Sequence, residues 1–204
     1  MANHYSTEDF ALMEKIFRVN FMTSISGYKS LNLCGTQNME GQTNLSLISS
    51  VFHLGSNPPY FGMMFRPLTE SGGHTLTNIL ETGFYSLNHV DEHIYKRAHQ
   101  TSAKYPKDIS EFDACGLNPY YVQNFPAPFV AESKAKLGLK LIEHLPVKLN
   151  NTHLIIGELI EVFLENQPDN TGLVDLPSIG TLTVWGNNTY GNVTILEQLP
   201  YAKL

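Results

Sequence analysis

Two long stretches, AKLGLKLIEHLPV from residue 135 and HLIIGELIEVFLE from residue 153, alternate apolar and polar side chains on either side of the turn-forming KLNNT. In an extended strand successive side chains point to opposite faces, so this pattern predicts a long antiparallel hairpin with a fixed register. Shorter segments of the same kind precede it. LNLCGT (31–36), NLSLISSVF (44–52), YFGMMF (60–65) and GFYSLNHV (83–90) are rich in apolar or aromatic residues and are punctuated by NMEGQ and GSNPP, as in a β-meander. IGTLTVWGNNTYGNVTIL, from residue 179, continues the habit to the carboxyl end.

Helices are few. Phe10, Met13, Ile16 and Phe17 fall near helical spacing, which predicts one amphipathic helix over about 6–18 with Ser6 or Thr7 as its cap. HTLTNILETG (74–83) reads as a second, with Thr75 as N-cap and Gly83 just past its end. A third is expected from Glu92 to Gln100, and Tyr105 to Pro128 reads as a long irregular connection of the kind that tends to be functional. Because nothing alternates strand with helix, the chain is expected to be mainly β, a single domain over 1–204 forming a closed or partly closed antiparallel barrel with peripheral helices and a C-terminal strand extension. A doubly wound nucleotide fold is disfavoured, since there is no G-x-G-x-x-G or G-x-x-x-x-G-K-[ST], and SGGH at 71–74 is too short for either.

Several function classes fall away. The formal charge is −6 and the 13 basic residues are dispersed, so there is no electrostatic footprint for nucleic acid. The longest apolar runs fall far short of a membrane span, and the amino terminus lacks a basic start followed by an apolar block, so a cytoplasmic protein with no membrane partner is expected. Cys34 and Cys115 are far apart, without metal-like or disulfide-framework spacing, and read as buried thiols. His89 and His93 have i, i+4 spacing but not the H-E-x-x-H order; surface histidines, with Asp91 capping a helix, are the simpler reading, and no metal site is expected. No G-x-S-x-G elbow marks a hydrolase.

What remains is an excess of small hydroxyls in TNLSLISSVFHLGSNPP (43–59), where Ser46, Ser49 and Ser50 interrupt a strand of core character. A buried hydroxyl without a partner costs free energy, so these either bond the protein itself or face a polar ligand. Ser49 and Ser50 end the strand, and Thr75 and Thr77 begin the next helix; hydroxyls at a helix start suit a phosphate monoester, with Arg66 adding charge, but equally suit simple capping. His153 opens an apolar strand after its turn, at a cleft mouth or in solvent.

The segments NLCGT (32–36), NLSLISSVFHLGSNPP (44–59), Arg66, HTLTNILETGFYSLN (74–88), HQTSAKYP (99–106), SEFDACGL (110–117), PFVAES (128–133) and HLIIGELIEV (153–162) together resemble the flavin reductase-like family of FMN-binding split barrels, particularly its flavoredoxin-type branch. The resemblance implies an antiparallel Greek-key split β-barrel that binds flavin mononucleotide (FMN). It further implies hydride transfer from NADH or NADPH through FMN to free flavin, ferric iron or another small acceptor. An FMN-binding electron carrier or sensor without direct NAD(P)H turnover is the alternative. By the same resemblance Ser49, Ser50, Arg66 and the Thr75, Thr77 and Asn78 helix start would hold the phosphate or ribityl chain. Thr36, Asn44 and the Thr101, Ser102 and Ala103 segment would flank the isoalloxazine, and His153 would orient the nicotinamide. Ser46 and Leu47 stand where the family commonly has Ala-Pro, and Gly73 and His74 where it has Lys-Asp, which leaves His74 and Arg66 to supply positive charge. A homodimer is implied, with Tyr60, Phe61 and Phe65 available for the contact.

Overall fold

The computed structural model describes residues 2–68 and 73–203 of the chain, so Ser71 and Gly72 of the SGGH stretch lie outside the described residues. Two short helices come first, α1 (Thr7–Leu12) and α2 (Lys15–Ile25), instead of the single helix expected over about 6–18. Ser6 caps α1 by accepting from the Asp9 N–H, and the Asp9 carboxylate accepts in return from the Ser6 N–H. Met13 is extended, and the helix restarts because the Glu14 carboxylate accepts from the N–H groups of Ile16 and Phe17.

The strands and helices that follow are β1 (Lys29–Ser30), β2 (Asn32–Gln37), β3 (Thr43–Ile48), β4 (Val51–Ser56), β5 (Pro59–Phe65), α3 (His74–Thr82), β6 (Phe84–His89), α4 (Tyr95–Gln100) and α5 (Glu111–Cys115). Then come β7 (Pro119–Val122), β8 (Phe125–Val130), β9 (Ala135–Val147), β10 (Thr152–Leu164), β11 (Thr183–Trp185) and β12 (Thr189–Gly191). The connection expected to be irregular between Tyr105 and Pro128 thus contains α5, β7 and the start of β8. Helix α4 begins at Tyr95 rather than Glu92, because the Asp91 carboxylate first holds a turn by accepting from the N–H groups of His93 and Ile94. His89 ends β6 and His93 lies in that turn, so the two do not share a helix face.

The long hairpin forms as expected: β9 and β10 pair antiparallel from Thr152↔Val147 to Leu164↔Ala135, with two irregularities. They are the centre of a seven-stranded antiparallel sheet in the order β3-β2-β6-β9-β10-β5-β4. The two end strands, β3 and β4, are consecutive in the chain and separated only by Ser49 and Ser50. A sheet whose end strands are joined by two residues must curl until its ends meet, yet β3 and β4 form no ladder with each other. The result is a mainly β, antiparallel split barrel with a corner at Ser49–Ser50. The segment NLSLISSVF is therefore two strands belonging to opposite ends of the sheet, not one.

Alternation along β2 explains the layering. Cys34 points into the barrel with Met63, Tyr85, Leu87, Leu139 and Ile155, whereas Leu33 joins an outer cluster with Leu45, Ile94, Phe112 and Val184 under α4, α5 and β11. Helix α3 packs Leu76 and Ile79 into the inner cluster, and on an α-helix the residues three apart, Thr75 and Asn78, then share a flank. Both are buried polar residues against β2 and β3. Phe61 and Phe65 pack against the inner cluster and, like Tyr60, are half-buried in the single chain. Exposed apolar side chains occur on β4, β9 and β10, such as Leu54, Ile142 and Ile160, and also at the two ends of the chain: α2 buries none of its residues, with Ile16, Phe17 and Ile25 in the open, and Leu196, Leu199 and Tyr201 are exposed near the carboxyl end. No helix of the described residues is long and apolar enough to cross a membrane.

Candidate functional site

The corner that splits the barrel is also one wall of a cleft of about 750 Å³. Along that wall Asn44 and Ser46 project from β3 and are followed by Ser49 and Ser50. Opposite is the amino-terminal end of α3, with Gly73, His74 and Thr75. Arg66 enters from the end of β5, and Thr101, Ser102 and Ala103 from the turn after α4. The β11–β12 turn closes one side through Asn187, whose side-chain oxygen accepts from Arg66 at 3.4 Å, and Asn188.

Sequence position alone did not separate residues on the cleft from residues behind it. Thr36 is fully buried and does not line the cleft, nor does Asn78. They anchor a hydrogen-bonded chain that ends on it. Asn78 donates to Thr36 Oγ1 (3.1 Å), which also accepts from Asn44 (3.4 Å); Asn44 donates to Thr75 Oγ1 (2.9 Å); and Thr75 donates to Ser46 Oγ (2.9 Å). This order leaves the Ser46 hydroxyl proton directed away from the network. Thr101 lines the cleft but spends its hydroxyl on the Ala98 carbonyl at 2.7 Å.

Thr77 is a correction. It is exposed and off the cleft, since two residues beyond Thr75 on a helix is the opposite face. Thr75 is another: it lies inside α3, whose N-cap is Gly73 at φ 100°, and no side chain of the described residues caps that terminus. Among the described residues no hydroxyl competes for the N–H groups of the first turn, so Thr75, Ser46, Ser49 and Ser50 do not act as its caps. Ser49 and Ser50 likewise have no protein hydrogen-bond partner for their hydroxyls among the described residues, and both face the cleft.

His153 lies off the cleft. Its Nδ1 is 2.8 Å from His144 Nε2, the two rings stacked between adjacent strands β9 and β10. Sequence reasoning missed Glu111, His99, Lys104 and Tyr105, all on the cleft wall. Glu111 is 7% exposed, its Oε2 accepts from the Leu45 N–H at 2.9 Å, and burial pushes its carboxyl above the usual range. The signal available was the long connection from Tyr105 to Pro128, which carries Tyr105 and Glu111. Cys34 and Cys115 are both buried, as expected, and burial raises both thiols, which makes them poor nucleophiles.

Against known proteins, residues 29–193 match the family model described as the flavin reductase like domain. A split-barrel protein of Shewanella frigidimarina NCIMB 400 assigned as a flavin reductase is 46% identical and superimposes with a TM-score of 0.94, over 98% of this chain and 100% of that one. The flavoredoxin of Desulfovibrio vulgaris (Miyazaki F) shares the fold at 21% identity, with a TM-score of 0.73 over 86% of this chain and 92% of that one. An uncharacterised protein of Aquifex aeolicus (strain VF5) is 29% identical over 92 residues, 45% of this chain; the match spans about half the length of that curated relative, 46%.

Proposed function

The chain belongs to the flavin reductase like family, and from that premise we propose that it is an oxidoreductase that binds FMN in the cleft beside the Ser49–Ser50 corner. In this reading it takes hydride from NADH or NADPH and passes the electrons to a small acceptor such as free flavin or ferric iron. One observation carries it: a helix terminus without a side-chain cap and two hydroxyls without a protein partner among the described residues line a single cleft together with two cationic side chains.

The parts fit a phosphate monoester. The first-turn N–H groups of α3 and the positive end of its dipole favour an anion. Ser49 and Ser50 add short-range donors, and Arg66 and Lys104, which also line the cleft, add charge. Lys104 adds to this cleft a positive charge that the sequence reading assigned only to Arg66 and His74. Toward the other end the Ser46 hydroxyl, oriented by the chain from Asn78 through Thr36, Asn44 and Thr75, is placed to donate to a carbonyl or ring nitrogen. A bound flavin supplies the redox chemistry itself, so the protein need only orient it, donate to it and exclude competing reactions. No role within the cleft of one chain is given to His153.

A homodimer is part of this reading. The uncovered apolar residues of α2 and the carboxyl-terminal segment are the surface offered to a second copy, and light scattering that finds a monomer at micromolar concentration contradicts it. The function is tested by adding NADH or NADPH anaerobically to protein loaded with FMN. Rapid bleaching of the yellow colour is the expected result. Bound colour that does not bleach would favour an electron carrier or sensor.

A further inference from the structure

Glu111 is the only acidic side chain among the described residues that line the cleft. It is also more than nine-tenths buried, and one of its oxygens is occupied by the Leu45 N–H on the outer edge of β3. Beyond that bond the carboxylate has only its own backbone N–H as a donor among the described residues. No lysine or arginine of those residues forms an ion pair with it, although Arg66 and Lys104 share the cleft. The titratable groups around it are His74 from the start of α3, Cys115 one turn further along α5, and His99, Lys104 and Tyr105 from α4 and the turn after it; β3 offers none.

A carboxylate without a cation, on the wall of a cleft whose other features attract an anion, is in conflict with that anion whenever it is ionised. We propose that Glu111 sets the affinity of the cleft for its phosphate-bearing ligand according to its protonation state: the neutral acid admits the anion and can donate a hydrogen bond, and the carboxylate opposes it. The inference rests on the FMN reading of the same cleft. Burial, the largest influence, already favours the neutral form; the N–H groups of Leu45 and of Glu111 itself, and then His74, oppose that shift. By linkage, a negative ligand nearby raises the carboxyl's proton affinity further, so binding takes up a proton.

Glu111→Gln keeps an oxygen for the Leu45 N–H and removes only the charge. FMN is expected to bind this variant roughly tenfold more tightly than wild type at pH 8, the size of a partly screened charge pair, with the difference shrinking as the pH is lowered. Riboflavin, which lacks the phosphate, is expected to bind both proteins alike at either pH. Calorimetric titration of the wild type with FMN at pH 7.5, in two buffers of different ionisation enthalpy, is expected to show proton uptake, and it tests the inference even if the variant folds poorly. Equal or weaker FMN binding by Glu111→Gln at pH 8, an equal gain for riboflavin, or no proton uptake by wild type would overturn the inference alone. A wild-type protein that binds no FMN at either pH would overturn the flavin reading and this inference with it.

Discussion

Two groups of small polar side chains sit at the same end of the barrel and behave in opposite ways. Thr36, Asn44, Thr75 and Ser46 are interlocked in one hydrogen-bonded chain, whereas Ser49 and Ser50, only a few residues further along, have no protein partner among the described residues and face the cleft. The first group is chiefly architecture: it ties β2, β3 and α3 together where the barrel is split and leaves the Ser46 hydroxyl proton for the cleft. The second lies at the corner between the two end strands and is available to a ligand. The difference comes from where the strand ends, because a hydroxyl within β3 meets α3 and a hydroxyl beyond it meets open space.

This contrast can be broken most strongly at Asn44. Asn44→Ala removes the donor to both Thr36 and Thr75 and leaves buried oxygens poorly satisfied, at a cost of about 2–3 kcal/mol measurable by urea unfolding. If stability is unchanged, the network is not structural. A buried group that must stay neutral extends the test to charge. Burial lowers His89 from 6.5 to about 4, so between those values the unfolded chain binds the extra proton and stability falls as pH falls. Allowing for its residual exposure, that loss is on the order of 2 kcal/mol and should be largely absent in His89→Gln, as followed by thermal melts across the window.

At the corner the expectation reverses. Ser49→Ala with Ser50→Ala should leave unfolding free energy within about 0.5 kcal/mol of wild type and weaken FMN roughly tenfold, as two lost phosphate donors would. A stability loss as large as that of Asn44→Ala would erase the distinction between the two groups. Smallest is the effect at Tyr85, whose hydroxyl is buried in the barrel without a partner among the described residues. Tyr85→Phe should stabilise the fold by about 1 kcal/mol, and a loss of stability would show that the hydroxyl is satisfied after all.

Much of the fold was legible because it rests on period. The β9–β10 hairpin declared itself through thirteen-residue alternation, and α3 through its apolar spacing and the glycine after it. The corner did not, because Ser49 and Ser50 carry no Gly or Pro and the alternation of β3 runs on visually into β4. Nor did the break between α1 and α2, where a glutamate rather than a more usual capping residue starts the second helix. Short elements such as α5 and β7 are below the length at which a period can be seen.

For the site, residue type pointed to the correct end of the barrel but not to depth. Thr77 could have been set aside from helical geometry alone, two residues from Thr75. Thr36 and Asn78 could not, since whether a polar side chain touches the cleft or lies one layer behind it depends on how α3 docks. Glu111 was hidden for a different reason: after Ser110 it reads as an ordinary acidic residue in the first turn of a helix, and only the approach of α5 to the β3 edge turns it toward the cleft.

The most direct test of the central claim compares FMN with riboflavin for binding to the wild-type protein by flavin fluorescence at a fixed pH near 7. A phosphate held by the α3 terminus, the serine corner and the two cations predicts binding of FMN at least about tenfold tighter than riboflavin. Equal affinity for the two, or none for either, would contradict it.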